Sequence, residues 1–120
     1  MVEEPRSDEK ELAEAIHTGM KRRPEQAFGA YFEGRNRSCA LGAAYDGLYR
    51  LPHEHGPLRP LHLERVFDCL ENTLRHCPID GCPKSLMLAS VIVHLNDDHE
   101  WSREQIADWL ETIPAFKRVS

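Results

Sequence analysis

"HCPIDGCPKSLMLASVIVHLNDDHEW" occupies residues 76–101, and its reading decides how the rest of the chain is understood. Two cysteines and then two histidines fall in the order Cys77-x4-Cys82-x11-His94-x4-His99. Pro78, Gly81 and Pro83 make the first part a sharp turn, and the apolar run after it predicts a helix from Ser85 to about Asn96. Zinc takes four soft or borderline ligands at tetrahedral corners. The usual finger spacing, C-x(2–4)-C, about a dozen residues and H-x(3–5)-H, accommodates this stretch. Geometry adds a condition. Residues five apart on an unbroken helix point roughly 140° away from each other. His94 and His99 can therefore share a metal only if the helix ends between them, and Asn96-Asp97-Asp98 is a sensible place for that.

The sequence leaves a second interpretation open. Cys77 and Cys82 would then be small apolar residues in a turn, His94 a hydrogen-bonded core histidine, and His99 a cap on the last helical carbonyls. With seven histidines and four cysteines in the chain, such a spacing also arises by accident. Two features depart from a free-standing finger: Cys77 follows an amphipathic helical pattern where strands are expected, and no aromatic residue lies between Cys82 and His94. A zinc ion held by Cys77, Cys82, His94 and His99 would be structural, locking a junction of helices.

Downstream, Ser102 and Gln105 form a capping box, and Trp101 can staple onto Ile106. The helix over 102–113 then turns Ile106, Trp109, Leu110 and Ile113 to the core, and Pro114 closes it. Upstream, Leu63, Val66, Phe67, Leu70 and Leu74 predict an amphipathic helix over 61–76. The proline-rich segment 51–60 is a surface loop, and His53, His55 and His62 in or beside it are incidental. Residues 39–50 read as a helix with Ser38 as N-cap and Leu41, Ala44, Tyr45 and Leu48 buried. Gly42 and Gly47 within it imply close approach of another backbone.

Residues 25–41 admit a short β-hairpin over about 27–40 or a broken helix, with the hairpin slightly favoured. A first helix starts at Ser7 or Asp8 with an Asp8–Glu11 capping box, buries Leu12, Ile16 and Met20, and ends before Pro24. Lys21-Arg22-Arg23 reads as a solvated helix end. The expected fold is mainly α: a compact bundle of about five helices with the possible hairpin. Residues 1–6 would be a flexible tail and 7–120 a single globular domain.

A net charge of −5 disfavours coating nucleic acid, which needs a cationic surface. No apolar run is long enough to span a bilayer, and the acidic N-terminus has no secretory pattern, so a cytoplasmic location is expected. In a reducing compartment the cysteines are buried thiols or metal ligands. Cys39 could be an activated thiolate at a helix start, but Cys39 and Cys69 fit better as inert core thiols.

"SCALGAAYDGLYR" and "VIVHLNDDHEWSREQIADWLE" together resemble small bacterial and bacteriophage proteins of uncharacterised role. These share a CALGA-type helix and an HLND-x-H-x-W-S segment that leads into an IA-x-W helix, often after a Cys-Pro turn. The resemblance covers about a third of the chain. It implies that Cys39, Cys77, His94, Asn96, Asp97, His99, Trp101 and Ser102 belong to one design, and it suggests a phage or prophage gene.

The expected function is that of a small non-enzymatic protein that binds another protein. A transcription regulator using the helix pair at 85–96 and 102–113 is the first alternative. Arg103 and Gln105 on its second helix are outnumbered there by Glu104, Asp108 and Glu111. A hydrolase using Asp97, Asp98, His99 and Glu100 is the second, although no nucleophile or phosphate loop accompanies them.

Overall fold

The computed structural model describes residues 8–49, 67 and 69–113. The tail, the 51–60 loop with its histidines, the 61–66 part of the expected helix, and Pro114 lie outside the described residues. Five helices and two small sheets follow in the order α1 (Asp8–Arg22), β1 (Glu25–Gln26), β2 (Phe32–Glu33), β3 (Arg37–Ser38), α2 (Ala40–Tyr49), α3 (Cys69–Asn72), β4 (Leu74–His76), β5 (Ser85–Met87), α4 (Leu88–Asp97) and α5 (Arg103–Thr112). Among the described residues, no helix is long and apolar enough to cross a membrane.

Leu12 and Ile16 of α1, Leu88, Val91, Ile92 and Leu95 of α4, and Ile106 and Leu110 of α5 are fully buried in one cluster. Helices α1 and α2 meet through small residues. A Cβ added at Gly47 would collide with the carbonyl of Ala15, and one at Gly19 with that of Ala43. The close approach expected from Gly47 is therefore real, and Gly19 is its counterpart on the facing helix.

The hairpin expected near 27–40 exists in reduced form. β2 pairs antiparallel with β3 around a turn at 34–36, while β1 adds in parallel to the other side of β3. Ser38 does not cap α2. Cys39 does, accepting at Sγ from the Gly42 N–H (3.3 Å) and at its carbonyl from the Ala43 N–H (2.8 Å).

The largest departures surround the cysteines. The expected 61–76 helix stops at Asn72, and Leu74–His76 is a strand that pairs antiparallel with Ser85–Met87. Leu74 is 65% exposed, so it is not part of the buried stripe, and Leu48 of α2 is likewise exposed. Helical periodicity continues through residue 74. However, Pro78 pushes Cys77 out of the helical region, and the ladder to 85–87 supplies the backbone partners that a helix would otherwise have given. The helix expected from Ser85 accordingly begins three residues later, at Leu88, whose N–H donates to Thr73 O (2.8 Å).

The basic run is not wholly a solvated end. Arg23 is 1% exposed and Asp46 fully buried; Arg23 Nη1 lies 2.6 Å from Asp46 Oδ2, and Arg22 Nε donates to Asp46 Oδ1 (2.8 Å). The Arg23 guanidinium also covers the Phe32 ring at 4.8 Å. A single acid in an otherwise small, apolar α2 was the signal available in the sequence.

Gly47→Ala should lower stability by roughly 1–3 kcal/mol, because neither helix backbone can yield without opening the seam. Urea unfolding should show a lower midpoint at unchanged slope. A loss below about 0.5 kcal/mol would mean the α1–α2 seam is not closed by backbone contact.

Candidate metal centre

Cys77 leaves β4, Cys82 lies in the loop before β5, and the hairpin leads directly into α4. The residues expected to form a helix junction are thus mounted on two strands and one helix. The turn is tied by Cys77 N–H to Lys84 O (2.8 Å) and Cys82 N–H to Ile79 O (3.1 Å), with Gly81 at a φ of 84°. This left-handed position is one that glycine adopts without steric cost.

His94 is on the last turns of α4, and His99 lies beyond its end. The helix does stop between them, although later than Asn96. Asp98 keeps a helical backbone, and the chain reverses at Glu100, which takes a φ of 52°. The Trp101 N–H closes the end by donating to Leu95 O (2.9 Å), six positions back, past the left-handed Glu100. This reversal brings the rings together with centroids 4.5 Å apart.

One ligand atom from each of Cys77, Cys82, His94 and His99 lies within 4.8 Å of the other three. Cys82 Sγ is 3.4 Å from His94 Nε2, and the two Nε2 atoms are 3.0 Å apart. A tetrahedron with Zn–N near 2.0 Å and Zn–S near 2.3 Å has N···S edges of about 3.5 Å and N···N edges of about 3.3 Å. The group has the composition and size of a zinc site.

Its electrostatics are uneven. His94 Nδ1 lies 2.7 Å from Asp98 Oδ2. That contact, followed by the nearby Cys82 sulfur, holds the His94 pKa above its usual value, and the imidazole holds Asp98 below the carboxylate range. The Lys84 N–H, then His99 and His94, lower the Cys82 thiol to about 6. Burial pushes Cys77 up. A neutral His94 protonated at Nδ1 beside the Asp98 carboxylate would present Nε2 as the ligand atom, the arrangement found where histidine ligates a metal.

The residue between the two histidines that matters most is Asn96, 1% exposed. Its Nδ2 donates to Ala27 O (3.0 Å) and Asp97 Oδ1 (2.7 Å). Its Oδ1 accepts from Gln26 Nε2 (2.8 Å) and from Ala40 N–H (3.1 Å), the first amide of α2. Gln26 also donates to Trp101 O (2.8 Å). The Ser102–Gln105 capping box is present in both directions. Arg103, which the regulator alternative would need exposed, is 4% exposed and donates to Arg23 O (2.7 Å), Pro24 O (2.7 Å) and Ser38 Oγ (3.0 Å). Burial lowers its pKa.

The other candidates separate from this centre. Cys39 is 5% exposed, and burial raises its thiol to about 11, so it is an inert core thiol; Cys69 is also buried. The residues of the hydrolase alternative are divided among different contacts. Asp97 accepts from Gly29 N–H (2.9 Å), Asp98 faces His94, and His99 faces His94. His17 Nε2 lies 4.0 Å from both Asp108 Oδ1 and Glu111 Oε1, on a solvated surface between α1 and α5. No family model, curated protein or solved structure matches the chain.

Arg103→Leu should cost roughly 2–4 kcal/mol, because two carbonyls and a hydroxyl would stay buried without their donor. Arg103→Lys should recover only part of it, since one ammonium cannot reproduce the fork. Chemical denaturation checks both, and a loss within about 0.5 kcal/mol would return Arg103 to the surface class.

Proposed function

We propose that this is a small non-enzymatic protein, stapled by one structural zinc ion, that works by binding another protein. The observation that supports it most is the convergence of Cys77, Cys82, His94 and His99, with Asp98 behind the His94 ring. Four protein ligands fill a tetrahedral zinc, leaving no position for substrate or an activated water. The metal would hold hairpin β4–β5 against the end of α4, and its charge would favour the thiolate of the buried Cys77.

The hydrolase reading loses support because Asp97 accepts from the Gly29 N–H, and Asp98 and His99 both face His94. The regulator reading loses support on charge. Helix α4 carries no Lys or Arg, Arg103 is buried, and α5 exposes Glu104, Asp108 and Glu111. Phosphate contact needs the opposite sign. An acidic chain with exposed Phe28, Tyr31, Met87 and Val93 instead suits a basic protein partner. A phage or prophage origin and a reducing cytoplasmic setting, where none of the four cysteines forms a disulfide, complete the proposal.

Protein purified without a histidine tag should contain one zinc per chain by elemental mass spectrometry; less than about a tenth would remove the metal from the proposal. Asp98→Ala should weaken zinc binding by roughly 10–100-fold in competition with a chromophoric chelator. An unchanged affinity would show that Asp98 does not orient the ligand. A gel shift saturating on one DNA sequence at physiological salt would favour the regulator instead.

A further inference from the structure

A cavity of about 110 Å³ opens beside α4, on residues that the metal centre does not use as ligands. Its floor is Cys39 and Leu41 of the α2 start and Ile92 of α4, all buried; its mouth is Ala30, Tyr31 and Val93. Tyr31 is 43% exposed and Val93 37%, so apolar surface continues outward from the opening. Of the polar neighbours, Asn96 uses all four hydrogen-bonding directions, and Asp97 Oδ1 holds Gly29 N–H and Asn96 Nδ2. The walls are mainly apolar, whereas a site for a polar metabolite would present several convergent donors and acceptors.

The size favours an aliphatic group. A cavity of about 150 Å³ holds benzene, so this one, at about 110 Å³, suits a branched or linear apolar side chain of about four heavy atoms. The charge beside it is negative. Asp97, Asp98 and Glu100 stand within four residues at the C-terminal end of α4, where the helix dipole adds to them.

We infer that this cavity receives a leucine or methionine side chain of a partner protein, from a segment that carries lysine or arginine beside that residue. The inference rests on the protein-binding reading above and specifies its surface. An anchor residue in a small desolvated pocket, ringed by exposed apolar residues and a charged edge, is the usual composition of an interaction hot spot.

The test is amide NMR on the full, zinc-loaded chain, titrated with acetyl-Arg-Leu-Lys-amide, with matched peptides Arg-Ala-Lys and Glu-Leu-Glu, and with 3-methylbutanol. The first peptide should give saturable shifts centred on Gly29, Ala30, Val93 and Asp97, with both matched peptides at least about tenfold weaker. Val93→Arg should abolish those shifts while zinc content and the remaining spectrum stay unchanged. No saturation by about 10 mM overturns the inference, as does equal binding of the acidic peptide. Binding of the alcohol as tightly as the peptide makes it a small-molecule cavity. The same shifts on raising protein concentration alone make it a self-association face. A natural partner still captured by Val93→Arg overturns this surface and leaves the protein-binding reading standing.

Discussion

A buried carboxamide with every hydrogen-bonding direction in use holds together the parts of this fold that helix packing alone would leave apart. Asn96 sits between the two histidines, donates to the backbone at Ala27, and accepts from Gln26 and from the first amide of α2. A helix start leaves its first amides without intrahelical partners, and here a side chain from a different helix supplies one. Removing that amide would leave the Ala40 N–H at the start of α2 and the Ala27 carbonyl just after β1 without it, and would take one partner from Gln26. Its position in the sequence is equally constrained. Asn96 must be on the last turn of α4 to reach α2, and the chain must then reverse for His99 to face His94.

Gln26 and Arg103 extend the same logic. Each ends a backbone that has no regular partner: Gln26 takes Trp101 O and Arg103 N–H, and Arg103 takes the carbonyls of Arg23 and Pro24. The three-stranded sheet has only two residues per strand, so its ladder alone cannot hold it. The segment between α1 and α2 keeps its shape because long polar side chains substitute for missing strands. Buried polar groups are favourable only when satisfied, and these are.

What was legible in the sequence follows the range of the forces involved. The α5 capping box, the α1 stripe and the packing implied by Gly47 are local patterns, and they persist in the structure. The end of α4 near the histidines was also readable, because the Ser102–Gln105 capping box asks for a break before Trp101. The strand at Leu74–His76 was not, because helical periodicity runs through it and its pairing with Ser85–Met87 is a tertiary event across the cysteine turn. Arg23 was misplaced for the same reason. Charge reads as exposure unless the partner is known, and Asp46 lies 23 residues away from Arg23 in sequence.

The hairpin explains why a metal would be useful here and not elsewhere. Strands β4 and β5 share three residue pairs, and Leu74, His76, Ser85 and Met87 on them are exposed. An isolated two-stranded ribbon of this size is marginal in water. Its inward anchors are Leu86 and Ile79, both only half buried against the core, and Cys77 itself. The α1–α2–α5 packing, by contrast, has fully buried aliphatic residues and a backbone-to-backbone seam. Four ligands that join the turn to the end of α4 would therefore stabilise the weakest part of the fold, acting beside Asn96 and through it on the start of α2. A zinc ion so placed needs no catalytic role to be required for the folded shape.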